Sequence, residues 1–302
     1  SPALFSFKGL WYTAFIDHFT KIQKGRHFPM KSLGYYNGKI GAPEELTVPF
    51  TDRGLYFGDG VYDATTSANH IPFAIDDHID RFFRSFQAAR IPFAMSKQEL
   101  RQLLCDLCAQ VEDGCYLLYW HTTRGSGERS HAFPPKGTPA NLLVYLTPCE
   151  MTPPEKVLTL MTAPDIRHHM LNVKTLNLLP NVLTAQQAVE HGVDEAIYHR
   201  GDYVTEGFHS NIMMIKDGAL CTPPADNLIL PGITRKHLME LAHKMDIPVK
   251  EAPITLTELF DADEVLVTNS GALCNRVSHI DGKPVGGKAQ DLVKRLQDAY
   301  AA

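Results

Sequence analysis

The chain has 302 residues, 44% of them hydrophobic and 21% charged, so it is long enough for a sizeable core and too apolar for disorder. A formal charge of −5 gives no reason to expect nucleic acid or an anionic membrane surface as partner. No apolar run approaches the roughly 18 residues that read as a membrane span.

The start, Ser1–Lys8, lacks a basic region followed by an apolar core, so no signal peptide is expected and the cytoplasm is the default location. Because it also lacks Met, the numbered chain is expected to begin after processing or inside a longer one. Residues 1–32 stand apart: Trp11, Phe15, Phe19 and Ile22 fall on one helical stripe that should end near Gly25. Such a helix would pack on the body or on a second subunit, since Asp17, His18, Lys21 and Lys24 make no strongly basic, membrane-seeking face.

Alternating or continuous apolar runs follow at 55–67, 115–124 and 140–147, together with two helices. One begins at Asp76 or Asp77 and carries Ile79, Phe82, Phe83, Phe86 and Ala89 at helical spacing. The other opens on Ser96-Lys97-Gln98-Glu99, a capping box, and continues through Leu100, Leu103, Leu104, Leu107 and Val111. Cys105 and Cys108 form a C-x-x-C inside that helix, and no second such pair sits at zinc spacing. The cysteines are therefore read as reduced, structural thiols, and no metal is expected.

Three prolines between Thr147 and Lys156 mark an extended seam, which predicts a smaller domain over 33–147, a linker over 148–156 and a larger domain over 157–302. Beyond it lie a strand at 157–163, Lys174, and a helix ending near Gly192. A hairpin pairs Ala196–His199 with Tyr203–Thr205 about a Gly201-Asp202 turn, which also accounts for the adhesion-like Arg200-Gly201-Asp202. Strand Ile212–Ile215 precedes an Asp217-Gly218 turn. A helix with Leu238, Leu241, Ala242 and Met245 on one face, a strand at Glu264–Thr268 and a polar helix near 288–300 complete the series. Short strands mixed with helices and hairpins indicate α+β layers rather than a regular parallel βαβ fold.

Several residues could carry chemistry. Lys174 lies between a strand and the apolar run Leu176, Leu178, Leu179; partial burial there would favour the free amine, a nucleophile and a base. Glu206 sits at a strand end, where a surface glutamate is the ordinary reading. Gly232-Ile233-Thr234 opens a helix whose free N–H groups suit a phosphate, although most helix starts bind nothing. Arg81 points away from the Phe82, Phe83, Phe86 stripe, so periodicity alone makes it exposed. Arg129 and His131 lie in a polar loop, Thr123–His131.

As a series these strings resemble the fold type IV aminotransferases, over roughly residues 33–300. The resemblance is carried by Arg53-Gly54, Phe57-Gly58-Asp59-Gly60-Val61-Tyr62, His78-Ile79-Asp80-Arg81, the Asn172–Leu179 stretch around Lys174, Val204-Thr205-Glu206-Gly207 with Ser210-Asn211, and Leu230–Arg235. It implies a two-domain α+β fold with pyridoxal 5′-phosphate (PLP) bound to Lys174 as a Schiff base, Lys174 lying in the larger domain. It further implies Glu206 at the ring nitrogen; Arg81, Ile233, Thr234 and Ser270 at the phosphate; and Arg167 near the phenolic oxygen. Homodimers, with sites near the subunit interface, are the family's form.

Within the family, Thr123–His131 is similar to the R-x-H segment of the D-amino-acid transaminases, where Arg129 and His131 would join Tyr62 on the substrate α-carboxylate. The implied activity is transfer of an amino group between D-amino acids such as D-alanine and 2-oxo acids (2-oxoglutarate, pyruvate), in ping-pong half-reactions. A branched-chain or (R)-amine transaminase, an aminodeoxychorismate lyase, or a PLP-binding protein with little turnover are the alternatives. Two departures bear on substrate range: Asp63 replaces the usual glutamate, and Gly271–Arg276 replaces a Thr/Ser-rich, Glu-containing loop.

Overall fold

The structure is a computed structural model that describes residues 32–301; the helix expected over 11–22 lies outside the described residues. The chain forms two compact units. One contains the described residues up to Glu150 together with Val173–Asn177, and the other contains Met151–Asn172 and the residues from Leu178 onward.

In the first unit, strands β1 (Leu33–Tyr36), β2 (Lys39–Gly41), β3 (Gly60–Ala68), β4 (Ile71–Pro72), β5 (Cys115–Thr123) and β6 (Asn141–Pro148) make a sheet in the order β2-β1-β6-β5-β3-β4. Every pairing in it is antiparallel. Because side chains alternate along a strand, one face buries Val61, Leu118, Trp120, Val144 and Leu146. The core-facing stripes of two helices, Ile75–Ala88 and Lys97–Cys108, complete that core with Ile79, Phe82, Phe86, Leu100, Leu104 and Leu107. The second of these starts on the expected capping box, Ser96 and Glu99 each satisfying the other's backbone N–H. The opposite sheet face presents the cross-strand pairs Tyr62–His121 and Ala64–Tyr119, all half-buried.

The run at 55–67 is not one element. A short helix occupies Arg53–Phe57, capped by the Asp52 carboxylate, which accepts from the Gly54 N–H, and closed by Gly58 at φ 59°. The strand begins only at Gly60. Residues 173–177 join this unit by pairing with the start of β3: the Tyr62 N–H donates to the Lys174 carbonyl at 2.9 Å and the Leu176 N–H to the Gly60 carbonyl at 3.1 Å. A Cβ on Gly60 would lie 2.6 Å from Leu176 Cδ1 and 2.7 Å from the Thr122 carbonyl, so this close approach requires glycine. By its contacts Lys174 thus belongs with the N-terminal unit, not with the C-terminal one that the seam at 148–156 assigned it to. A boundary drawn from composition cannot register so short an excursion.

The second unit is built on a mixed sheet. It contains β7 (Leu158–Pro164), β8 (Glu195–Arg200), β9 (Tyr203–Gly207), β10 (Asn211–Lys216), β11 (Ala219–Thr222), β12 (Val249–Glu251), β13 (Glu264–Thr268) and β14 (Asn275–Ile280), with β15 (Lys283–Pro284) paired to β14. Their order is β12-β11-β10-β13-β14-β7-β8-β9. The parallel pair β7 and β8 needs a crossover, which includes α1 (Leu179–His191), closed by Gly192 at φ 68°. Helices α2 (Ile233–Lys244) and α3 (Gln290–Ala301) lie further along. The expected hairpin and the strand at Glu264–Thr268 are present, the latter wholly buried as the neighbour of β10. No helix of the described residues is long and apolar enough to cross a membrane.

Candidate active site

Lys174 is half-buried in the first unit, its backbone N–H donating to Ser85 Oγ at 3.2 Å. Its Nζ lies 4.2 Å from the centroid of the Tyr62 ring, a cation–π distance. Tyr62 in turn stacks on Tyr119 at 5.5 Å, and the Tyr119 hydroxyl is 3.1 Å from His121 Nδ1. Burial pulls the His121 imidazolium down to about 4 and pushes the Tyr119 phenol up, so both are neutral near pH 7. Two expected site residues, the amine and the phenol, are adjacent.

Arg81 is 4% exposed, although helical periodicity pointed it to solvent. The reason is Asp63, fully buried on β3: Arg81 Nε donates to Oδ2 at 2.9 Å and Nη2 to Oδ1 at 2.7 Å. His78 Nδ1 is 2.8 Å from the same Oδ1, and since a carboxylate only accepts, Nδ1 carries the proton. Burial alone would raise the Asp63 carboxyl; Arg81 and His78 outweigh it and hold the group well below the usual carboxylate range. For His78 burial dominates and favours the neutral ring, with the Lys174 charge among the forces acting the same way. The departure at 63 thus supplies a carboxylate that fixes the plane of the arginine.

Arg129 and His131 are exposed, yet their loop is anchored. Arg53 donates through Nη1 to the carbonyl of Ser130, between them, at 2.7 Å and through Nε to Asp59 at 2.7 Å. The Phe57 ring carries Arg53 at 5.0 Å, Arg129 at 5.4 Å and His131 at 5.1 Å. Arg124 also forks onto Asp59, and together the two guanidinium groups overcome the effect of burial and lower that carboxyl. Arg129 is thereby grouped with His131, and Tyr62 with Lys174.

In the second unit Glu206 is 5% exposed and heavily hydrogen-bonded. Its Oε1 accepts from Arg167 Nη1 at 2.7 Å; Oε2 accepts from Asn211 Nδ2 at 3.1 Å and from the Leu230 N–H at 2.8 Å. Arg167 directs Nε and Nη2 at Asp165, 2.9 Å each, and Asp165 also receives Arg200 Nε at 3.1 Å. Burial lowers the Arg167 guanidinium, but Asp165 and Glu206 more than compensate and raise it. Arg167 was expected beside a phenolic oxygen; here its fork joins two carboxylates, one of them Glu206.

Asn211 ties this carboxylate to the helix start. Its Nδ2 also donates to the Leu230 carbonyl at 2.9 Å, and a Cβ on Gly232 would fall 1.9 Å from its Oδ1. On the neighbouring strand Thr268 lies opposite Asn211, two residues before Ser270. Gly232 caps α2 without a side chain, and Ile233 and Thr234 form its buried first turn. Among the described residues the buried hydroxyls of Thr234 and Thr268 have no hydrogen-bond partner. An unsatisfied buried polar group costs roughly 1–3 kcal/mol, so an anion at this N-terminus would satisfy what the protein does not. The residues present therefore fit a phosphate group. In the atypical loop that follows, Leu273 adopts φ 41°, an uncommon conformation for a non-glycine residue.

Sequence reasoning noted Asp63 only as a departure and His78 and Asn211 only as motif members, and it passed over Asp165, Tyr119 and His121. Asn211 was within reach, since it closes the Val204–Asn211 motif. Tyr119 and His121 were not, because their meeting with Tyr62 depends on strand register.

Three comparisons place this geometry. The family model "Amino-transferase class IV" matches residues 60–280. A D-alanine aminotransferase of Staphylococcus aureus (strain MSSA476) is 38% identical over 274 residues, 88% of this chain and 95% of that protein. Among solved structures, the branched-chain amino acid aminotransferase from Escherichia coli superposes with a TM-score of 0.79 at 25% identity, covering 89% of this chain and 93% of that one.

Proposed function

The chain belongs to the class IV aminotransferases, enzymes that work with pyridoxal 5′-phosphate, and on that footing we propose that it moves amino groups between D-amino acids and 2-oxo acids such as pyruvate or 2-oxoglutarate. The observation that carries the substrate class is the 38% identity to a D-alanine aminotransferase across nearly the whole of both chains. Bound here, the cofactor supplies an electron sink for the pair left behind when a proton leaves the substrate Cα.

Lys174 Nζ would hold the cofactor, and the same amine, when free, would be the base that takes the substrate Cα proton and returns it to the cofactor carbon on the other side of the amino nitrogen. Glu206, which accepts from Arg167, Asn211 and the Leu230 N–H, would accept a hydrogen bond from the protonated ring nitrogen and so strengthen the sink. Arg167 serves the cofactor through that carboxylate. The phosphate is held by Arg81, which Asp63 fixes in plane, by the N–H groups of Ile233 and Thr234, and by the hydroxyls of Thr234 and Ser270. Tyr62, Arg129 and His131 hold the substrate α-carboxylate and orient Cα toward the lysine.

The enzyme works as a homodimer, a reading supported by the exposed apolar residues Leu179, Val182, Leu183 and Val189 on α1. Its free cysteines suit a reducing compartment, and the cytoplasm is the proposed location.

Borohydride reduction of the PLP-loaded protein, followed by peptide mapping, should leave a pyridoxyl adduct on Lys174; an adduct elsewhere, or none, sinks this reading. A panel of D- and L-donors should then rank D-alanine above L-leucine. The reverse order would favour a branched-chain specificity, a second reading supported by the likeness to the Escherichia coli branched-chain amino acid aminotransferase.

A further inference from the structure

Cys115 opens β5 and Cys149 directly follows the end of β6. The antiparallel register runs from Thr123 opposite Asn141 to Tyr116 opposite Pro148, so the next cross-strand pair is Cys115 and Cys149. The Cys149 N–H donates to the Cys115 carbonyl at 3.0 Å, keeping the two backbones paired there. Hydrogen-bonded partners in an antiparallel ladder stand ~5.5 Å apart at Cα, within the span a disulfide bridges without backbone movement. The two Sγ atoms are already 3.4 Å apart. Among the described residues no comparable contact is found for Cys105, Cys108, Cys221 or Cys274, whose thiols burial chiefly pushes up.

We propose that Cys115 and Cys149 are a dithiol modification site, closed to an intramolecular disulfide by a hydroperoxide. The pair is asymmetric in reach: Cys115 is 2% exposed, whereas Cys149 is half-buried and accessible. Either thiol can donate in their contact, so the difference in exposure decides the order, and the accessible Cys149 is the sulfur that meets the oxidant. Its thiolate attacks the peroxide O–O bond, giving a sulfenic acid and, from hydrogen peroxide, water. Cys115 sulfur then attacks the sulfenyl sulfur; the S–S bond forms, the S–O bond breaks, and a second water leaves with the Cys115 proton. Two thiols are oxidised by two electrons and one peroxide becomes two waters. The bond locks the last backbone pair of the sheet before the chain leaves the first unit at Glu150.

The test is peroxide treatment of the PLP-loaded enzyme, with thiol titration and non-reducing peptide mapping. Two of the six thiols should disappear. The Cys115 and Cys149 peptides should appear as one linked species, two hydrogens lighter than their sum and released by dithiothreitol. Cys149→Ser should abolish the thiol loss, while the Cys105→Ser/Cys108→Ser pair should leave it unchanged. Six thiols still titratable after exposure, linkage of any other pair, or Cys149 found as sulfinic acid beside a free Cys115 would overturn the proposal. The wild-type peptide map decides the matter even where a serine variant fails to fold.

Discussion

At the scale of single residues, the decisive group is a carboxylate that touches no solvent. Asp63 is shared by Arg81 and His78, and it explains why an arginine on the apparently polar side of its helix is buried. Asp63→Asn keeps the shape but removes the carboxylate charge that Arg81 and His78 share. Breaking a buried pair in this way costs about 3–5 kcal/mol, so urea denaturation should show a loss of that size, accompanied by weaker PLP binding. An unchanged midpoint would show that the network is not holding the arginine. His121 makes a pH prediction. Its folded value of about 4 lies below the ~6.5 of an unfolded histidine, so the unfolded chain binds the extra proton first. Its contribution to stability is complete above pH ~6.5 and is lost as pH falls toward 4, on the order of 3 kcal/mol in all. His121→Gln should flatten the stability profile across that window, measured by urea melts at closely spaced pH.

At the scale of elements, much of the architecture was legible because its signals are local. The capping box at Ser96, the aromatic stripe of Ile79, Phe82 and Phe86, and the turn at Gly201-Asp202 each declare an element from a few adjacent residues. What was not legible depends on register or on partners far along the chain. The Arg53–Phe57 helix interrupts an apolar run whose pattern does not show where Asp52 will cap it, and the pairing of 173–177 with β3 has no local signal. The start of α2 lies between these cases. Gly232-Ile233-Thr234 can be read as a helix opening, but the unpartnered Thr234 hydroxyl becomes visible only in three dimensions. A hydrogen bond to a charged group is worth about 1.5–3 kcal/mol. Thr234→Val should therefore weaken PLP binding by roughly 10- to 100-fold, with circular dichroism unchanged. Absorbance titration of the apoprotein checks this; an affinity within twofold of wild type would remove Thr234 from the phosphate set.

At the scale of the whole molecule, the residues proposed for the site divide by unit: Lys174, Tyr62, Arg81, Arg129 and His131 lie in the first, and Glu206, Arg167, Ile233, Thr234 and Ser270 in the second. Most of these were named from short strings, whereas their supports, Asp63, Asp165 and Asn211, hold them from strands distant in sequence. The outer surface raises the remaining question. Leu179, Val182, Leu183 and Val189 are exposed by 69, 61, 53 and 71%, and they lie on a single helix of the second unit. Leu179, Val182 and Leu183 follow the i, i+3, i+4 spacing of one helical face, the pattern of a surface meant to be covered. Single exposed apolar residues are ordinary, but a contiguous stripe marks an interface, and dimers use the same patch on both copies. A charge placed in a self-complementary patch meets its own copy across the symmetry axis and must also lose its hydration. In the proposed homodimer, Leu183→Glu should therefore shift the equilibrium toward monomer at micromolar concentration in analytical ultracentrifugation, while far-ultraviolet circular dichroism stays as in wild type. A variant that sediments as a dimer with unaltered affinity would place the interface on another face.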